Sequence, residues 1–202
     1  MQLYPTLETT VAKAKNLPIV EERKQVLQEL INYIQSKKDS GAPVQLNFIC
    51  THNSRRSQFS QIWAQTMAYL HGVTVFSYSG GVEVTAFNER AVASVARSGF
   101  KIAEHGSDNP KVEVKYADSA DPIIAFSKIY DDPANPEKGF AAVMTCSHAD
   151  ENCPYISGAE ERIPVRYEDP KAFDDTDQEA EMYDSRSLQI ASEMNYVFSR
   201  IN

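Results

Sequence analysis

Three cysteines, at positions 50, 146 and 153, carry the thiol chemistry of this 202-residue chain, and each sits in a different setting. The first lies in FICTHNSRRSQ, where five residues separate Cys50 from Arg56, and Ser57 follows. VQLNFI before it is short and apolar enough for a buried strand. SQFSQIWAQTMAYLHG after it spaces Phe59, Ile62, Trp63, Met67 and Leu70 along one helix face, with Ser57 as a candidate N-cap and Gly72 as the stop. A loop leading into a helix presents unpaired N–H groups and the positive end of the helix dipole, which together cradle a tetrahedral oxyanion. Arg56 adds a planar fork for two of its oxygens. The same field favours a thiolate at Cys50, and hence a nucleophile. Ser57 is placed to donate a hydrogen bond to that thiolate and Asn53 to pin the loop. Thr51, His52, Ser54 and Arg55 complete the oxyanion-binding stretch.

A second pair of thiols follows the buried run GFAAV. In MTCSHADENCP, Cys146 and Cys153 are seven positions apart, in a stretch rich in small and acidic residues. Removing two electrons from cysteines must end in a disulfide that another protein can reach and reduce, and a short segment that loops out would allow one. Cys146, His148 and Cys153 with His52 or His105 could also be read as zinc ligands, but the paired Cys-x2-Cys spacing is absent and no metal is expected. A third candidate is YEDPKAFDD. Proline holds the preceding Asp169 extended and so aims a carboxyl that could protonate a departing oxygen. Asp121-Pro122 and Asp132-Pro133 share the dipeptide, and Asp174 and Asp175 lie close by.

The elements that must position these residues alternate. VTVFSYSGG reads as a second strand and FNERAVASVARSGF as a helix ending at Gly99. KIAEHGSD reads as a loop, DPIIAFS and GFAAVMT as two further buried strands, and Ser185 to Arg200 as a closing helix. Strands alternating with helices imply a parallel sheet covered on both faces, with ligands bound outside the carboxyl ends of the strands. Residues 1–43 read as an N-terminal helical extension: a short helix in LETTVAKAKNL, a break at Leu17-Pro18, and an amphipathic helix from Pro18 to about Lys38. Its apolar faces are expected to cover the core or a second copy of the chain, which leaves room for a homodimer through these helices. Residues 44–202 form the expected α/β domain.

Composition narrows the function. The net charge of −8 gives no general attraction to nucleic acid or to anionic membranes, so any anion must be held locally. No run approaches the roughly 20 apolar residues of a membrane span, and the first residues lack a signal-peptide pattern. An odd number of cysteines argues against a disulfide scaffold and suits a reducing cytoplasm.

CTHNSRRSQ resembles the phosphate-binding loop of the low-molecular-weight protein tyrosine phosphatase superfamily, which includes the thioredoxin-coupled arsenate reductases. The resemblance implies a four-stranded parallel sheet flanked by helices, Cys50 as nucleophile, Arg56 as oxyanion ligand, and Asn53 and Ser57 as stabilisers. YSGGVE and EHGSD resemble further family segments. MTCSHADENCP is similar to the redox segment of the arsenate reductases, and Asp169-Pro170 to the family's general acid. What this implies is reduction of arsenate to arsenite by Cys50, Cys146 and Cys153 in turn, regenerated by thioredoxin, without a cofactor. The alternatives are a phosphatase acting on phosphotyrosine or small phosphate esters, and a non-enzymatic oxyanion or redox sensor. Against a phenyl-ring substrate, Lys171 and Ala172 stand where aromatic residues are expected. Two departures lie in the loop: His52 where a glycine is usual, which is expected to strain a backbone of positive φ, and Arg55 where a cysteine is common, expected to point to solvent or to an acidic neighbour. Gln61 replaces the acidic residue of a potassium site, and SKIYDDPANPEKGF is long enough to form a lid.

Overall fold

A computed structural model describes residues 2–152 and 155–202 of the chain. In chain order the elements are α1 (Pro5–Asn16), α2 (Glu21–Asp39), β1 (Gln45–Cys50), α3 (Arg56–His71), β2 (Phe76–Gly81), α4 (Glu89–Arg97), β3 (Lys101–His105), β4 (Lys111–Lys115), β5 (Ile123–Ala125), β6 (Phe140–Met144), α5 (Ser147–Asn152), β7 (Ala159–Pro164) and α6 (Glu179–Phe198). Four of the strands form a parallel sheet in the order β2-β1-β6-β7, flanked by helices.

Side chains alternate across this sheet, as the period of two requires. Leu46, Phe48, Ala141, Val143 and Ile163 face the main core with Trp63 of α3 and Ile190 and Met194 of α6. Ile49, Ala142 and Met144 face a smaller cluster with Cys50, Cys146 and Ala149. Trp63 is fully buried, and its indole N–H finds the Ser187 hydroxyl at 2.9 Å, so the largest side chain of the core leaves no polar group orphaned.

The remaining strands, β3-β4-β5, make a separate antiparallel sheet. Two sequence expectations change here. KIAEHGSD is not a loop, because its first five residues form β3; nearly all of them are exposed, so no apolar alternation marks them. DPIIAFS supplies only the three-residue β5 of the small sheet, and the fourth parallel strand is β7, AEERIP, whose single buried residue is Ile163. An edge strand with one buried side chain has no pattern to detect. The stretch expected as a lid is anchored: the Asn135 side chain donates to the carbonyls of Ser79 and Tyr130 at 3.0 and 3.1 Å, and Asp132 accepts from the Ala134 amide.

The N-terminal helices pack on the core of the same chain. Leu7, Val11 and Ala14 of α1 and Leu27, Leu30 and Ile34 of α2 are buried in the main cluster. Arg23 makes a two-pronged pair with buried Glu193 of α6 at 2.7 and 3.0 Å. Gly99, at φ +104°, lies directly under α1, and a Cβ there would stand 2.4 Å from the Leu7 amide nitrogen. Gly41 is also left-handed, at φ +69°, but faces open space. Gly99→Ala should therefore destabilise the chain by about 2 kcal/mol or more, from backbone strain and overpacking together, and Gly41→Ala by about 1 kcal/mol from strain alone. Equal losses for the two in urea denaturation would mean that α1 does not press on this turn.

Candidate active site

The loop between β1 and α3 begins where Cys50 leaves the sheet, 4% exposed. Its turn is held from outside: the amides of Val82 and Glu83 both donate to the Thr51 carbonyl at 2.8 Å. Asn53 is the loop residue with positive φ, +47°, and is fully buried. The strain expected at His52 is therefore displaced by one position, onto a side chain that tolerates the left-handed region better than most. His52 stands at the rim instead, with its ring 3.3 Å from a Glu83 carboxylate oxygen.

The Asn53 side chain uses both of its polar ends. Its Oδ1 accepts from the Lys128 amide at 3.0 Å and its Nδ2 donates to Ser57 Oγ at 2.8 Å. Because that bond uses a lone pair of Ser57, the hydroxyl hydrogen is left to point at Cys50 Sγ, 3.0 Å away. Ser57 is not the helix cap. The N-cap position belongs to Arg55, which makes no side-chain cap, and this leaves the first-turn amides of α3 without a capping side chain. Ser54 bonds the Ala86 carbonyl at 2.7 Å and fastens the loop to the segment before α4.

Both arginines converge on one carboxylate. Arg55 Nε lies 2.8 Å from Asp169 Oδ1, and Arg56 Nη2 lies 2.8 Å from Asp169 Oδ2 while its Nη1 donates to the Tyr167 carbonyl at 3.1 Å. Arg55 thus turns to an acidic neighbour, not to solvent. Asp169 is extended, with φ −81° and ψ +124°, as a residue before proline should be, and the Pro170–Phe173 turn of 3-10 helix follows it. Burial pushes this carboxyl up, but the Arg55 hydrogen bond and the Arg56 charge outweigh burial and hold it below the ordinary carboxylate range. Of the other aspartates, Asp132 is engaged in its own turn, Asp174 with the Tyr183 hydroxyl and Asp175 with Arg90, while exposed Asp121 lines a different cleft. Beside the loop a cavity of about 260 Å³ opens, lined by His52, Ser54, Arg55, Thr85, Ala86 and Lys171.

The second thiol comes to the same place along β6. Cys146 is 1% exposed, and its Sγ lies 3.5 Å from Thr51 Oγ1, which is also 3.3 Å from His148 Nδ1. The short helix α5 that follows is tied down by Asp150, which is buried and ion-paired with Arg162 at 2.5 Å and with Arg166. That three-residue anchor was not foreseen; the arginine pair four residues apart in a polar stretch was its only trace in the sequence. Cys153 lies outside the described residues. Gln61 is engaged with Ser77 and Ser79, and among the described residues no group of three His, Cys, Asp or Glu side chains could hold a metal ion.

The Asp169 pairing has a pH signature. A carboxyl held low in the folded chain contributes stability that is complete above its unfolded value of about 4 and is lost as pH falls through the lower folded value. Asp169→Asn should therefore cost about 1–3 kcal/mol at neutral pH, by leaving two part-buried guanidinium groups short of a partner. The gap from wild type should narrow progressively below about pH 4 in urea titrations. A gap of constant size down to pH 2 would show that the charge of Asp169 is not what stabilises.

No protein-family model matches the chain. Among curated proteins it is 30% identical over 132 residues to an arsenate reductase of Halalkalibacterium halodurans, covering 65% of this chain and 78% of that one. It is 26% identical over 123 residues to an arsenate reductase 2 of Staphylococcus epidermidis, covering 61% and 76%. Among solved structures, a low-molecular-weight phosphotyrosine phosphatase from Vibrio cholerae superposes with a TM-score of 0.51 at 13% identity, over 77% of this chain and 94% of that chain, a likeness of fold alone. A low-molecular-weight protein tyrosine phosphatase from T. tengcongensis has the same TM-score at 14% identity, over 77% and 98%. With the fold, the Cys50–Ser57 loop and the Cys146 segment in place, the chain belongs to the arsenate reductase family.

Proposed function

We propose that the chain reduces arsenate to arsenite with electrons from its own thiols. The observation that carries this reading is the convergence of two buried cysteines on one oxyanion loop, with Thr51 on Cys50's flank touching Cys146 Sγ. Cys50 attacks arsenate held by the first-turn amides of α3 and by Arg56, and water leaves with a proton from Asp169. Cys146 then attacks Cys50 Sγ; the electron pair of the sulfur–arsenic bond goes to arsenic, arsenite departs, and a 50–146 disulfide forms. Cys153 attacks Cys146 and releases Cys50, and an external dithiol protein of the thioredoxin type reduces the 146–153 disulfide. A reducing cytoplasm suits the cycle. Among the described residues no helix is long and apolar enough to cross a membrane.

Asp169 enters this scheme ionised, as the partner of both arginines. Arsenate takes up donors of Arg56 and brings negative charge beside the carboxyl, and both changes raise its affinity for a proton. The acid is therefore made by substrate binding. The apolar faces of α1 and α2 are buried within the chain, which leaves the turn at Leu17 and Val20 as their exposed apolar surface for a second copy.

The test is arsenate-dependent NADPH oxidation by the purified chain with thioredoxin and thioredoxin reductase. Cys153→Ser should abolish multiple turnover while leaving one arsenite per chain. Asp169→Asn should slow the first turnover by about 10²–10⁴-fold. Full turnover by Cys153→Ser would sink the relay. Aryl phosphate release that persists in Cys146→Ser, without arsenate reduction by wild type, would favour the phosphatase reading instead.

A further inference from the structure

A cleft larger than the cavity at the Cys50 loop lies elsewhere on the chain. A cleft of about 700 Å³ lies between β2 and the small antiparallel sheet, lined on one side by Gln65, Phe76 and Tyr78 and on the other by Tyr116, Ile123 and Phe126. Two lysines enter it, Lys111 from β4 and Lys128 from the segment after β5. Their ammonium groups lie 5.4 and 4.6 Å from the centre of the same Phe126 ring. The cleft's carboxylate is that of exposed Asp121.

Lys128 is the anomaly. It is 4% exposed, and its Nζ is buried with no hydrogen-bond partner among the described residues. Burial pushes the amine down to about 8, with Asp132 opposing the shift only through its charge. A buried ammonium without a partner is costly, and natural chains retain one where something supplies the missing charge. In a chain of net charge −8, two ammonium groups without a carboxylate partner among the described residues, over an aromatic floor, do not reflect a general surplus of positive charge.

We propose that this cleft is a second ligand site, for an organic acid whose anionic head meets Lys128 and Lys111 and whose flat apolar body lies against Phe126, Tyr78 and Tyr116. The tetrahedral oxyanion of the Cys50 loop is a different class of ligand, and none of the loop residues 50–57 lines the cleft. A chain of hydrogen bonds connects the two sites. The Lys128 amide holds Asn53 Oδ1 at 3.0 Å, its carbonyl accepts from Gly81 at 2.8 Å, and Asn53 in turn holds Ser57.

The experiment is calorimetric titration of the full chain with 2-naphthoate, beside its uncharged methyl ester. One saturable site per chain is expected for the acid. The ester, and the acid with Lys128→Met, should each bind at least about tenfold more weakly, the loss for a charge-assisted hydrogen bond. Lys111→Glu alters an exposed residue and should weaken the acid several-fold, so it decides the matter even where Lys128→Met fails to fold. Arg56→Ala, which disables the catalytic loop, should bind as wild type does. No saturable binding, equal binding of acid and ester, undiminished binding by Lys111→Glu, or loss of binding in Arg56→Ala would each overturn the proposal.

Discussion

Between β1 and β6 the strands run in parallel with Ile49 opposite Met144, and both the amide and the hydroxyl of Thr145 reach the Ile49 carbonyl, at 2.7 and 2.9 Å. These bonds fix where each strand stops. Cys50 and Cys146 are residues that leave the ladder just beyond that point, at the carboxyl ends of neighbouring strands, where a parallel α/β sheet binds its ligands. Two thiols far apart in sequence are thus brought to one loop by the central strands of the parallel sheet.

Charge is managed just as locally. An acidic chain that binds an oxyanion must concentrate positive charge at one point, and the Cys50 loop does so with two adjacent arginines and the start of α3. Left alone, two guanidinium groups at a buried loop would repel each other. Asp169 sits between them, arriving from beyond β7 on a residue held extended by Pro170. The same carboxylate therefore organises both arginines and stands beside the position a bound oxyanion would occupy.

Much of the loop was readable in one dimension because its parts are local: strand, thiol, turn, arginine, serine and helix follow within a dozen residues, and spacing alone places them. Asp169 was readable through its proline. The sites that escaped are the non-local ones. Nothing near Asp150 announces that Arg162 and Arg166 will close on it, and nothing in SKIYDDP marks Lys128 as buried. β3 and β7 escaped for another reason: β3 is almost wholly exposed and β7 buries only Ile163, so a reading based on apolar period has nothing to count. The positive φ of the loop falls at Asn53 and not at His52, so the left-handed residue was expected one position too early.

The amphipathic N-terminal helices were legible as helices, but their partner was not, since a stripe of leucines states that a face is covered and not by what. The answer has a consequence for how the protein is made. α1 packs on α6, and Arg23 pairs with Glu193, so α1 and α2 are completed by a helix that leaves the ribosome well after them. At synthesis rates of about 5–20 residues per second, the apolar faces of α1 and α2 stay uncovered for on the order of ten seconds or more. During that interval they present the kind of exposed apolar surface that favours aggregation, and a nascent chain cut short before α6 would keep it exposed.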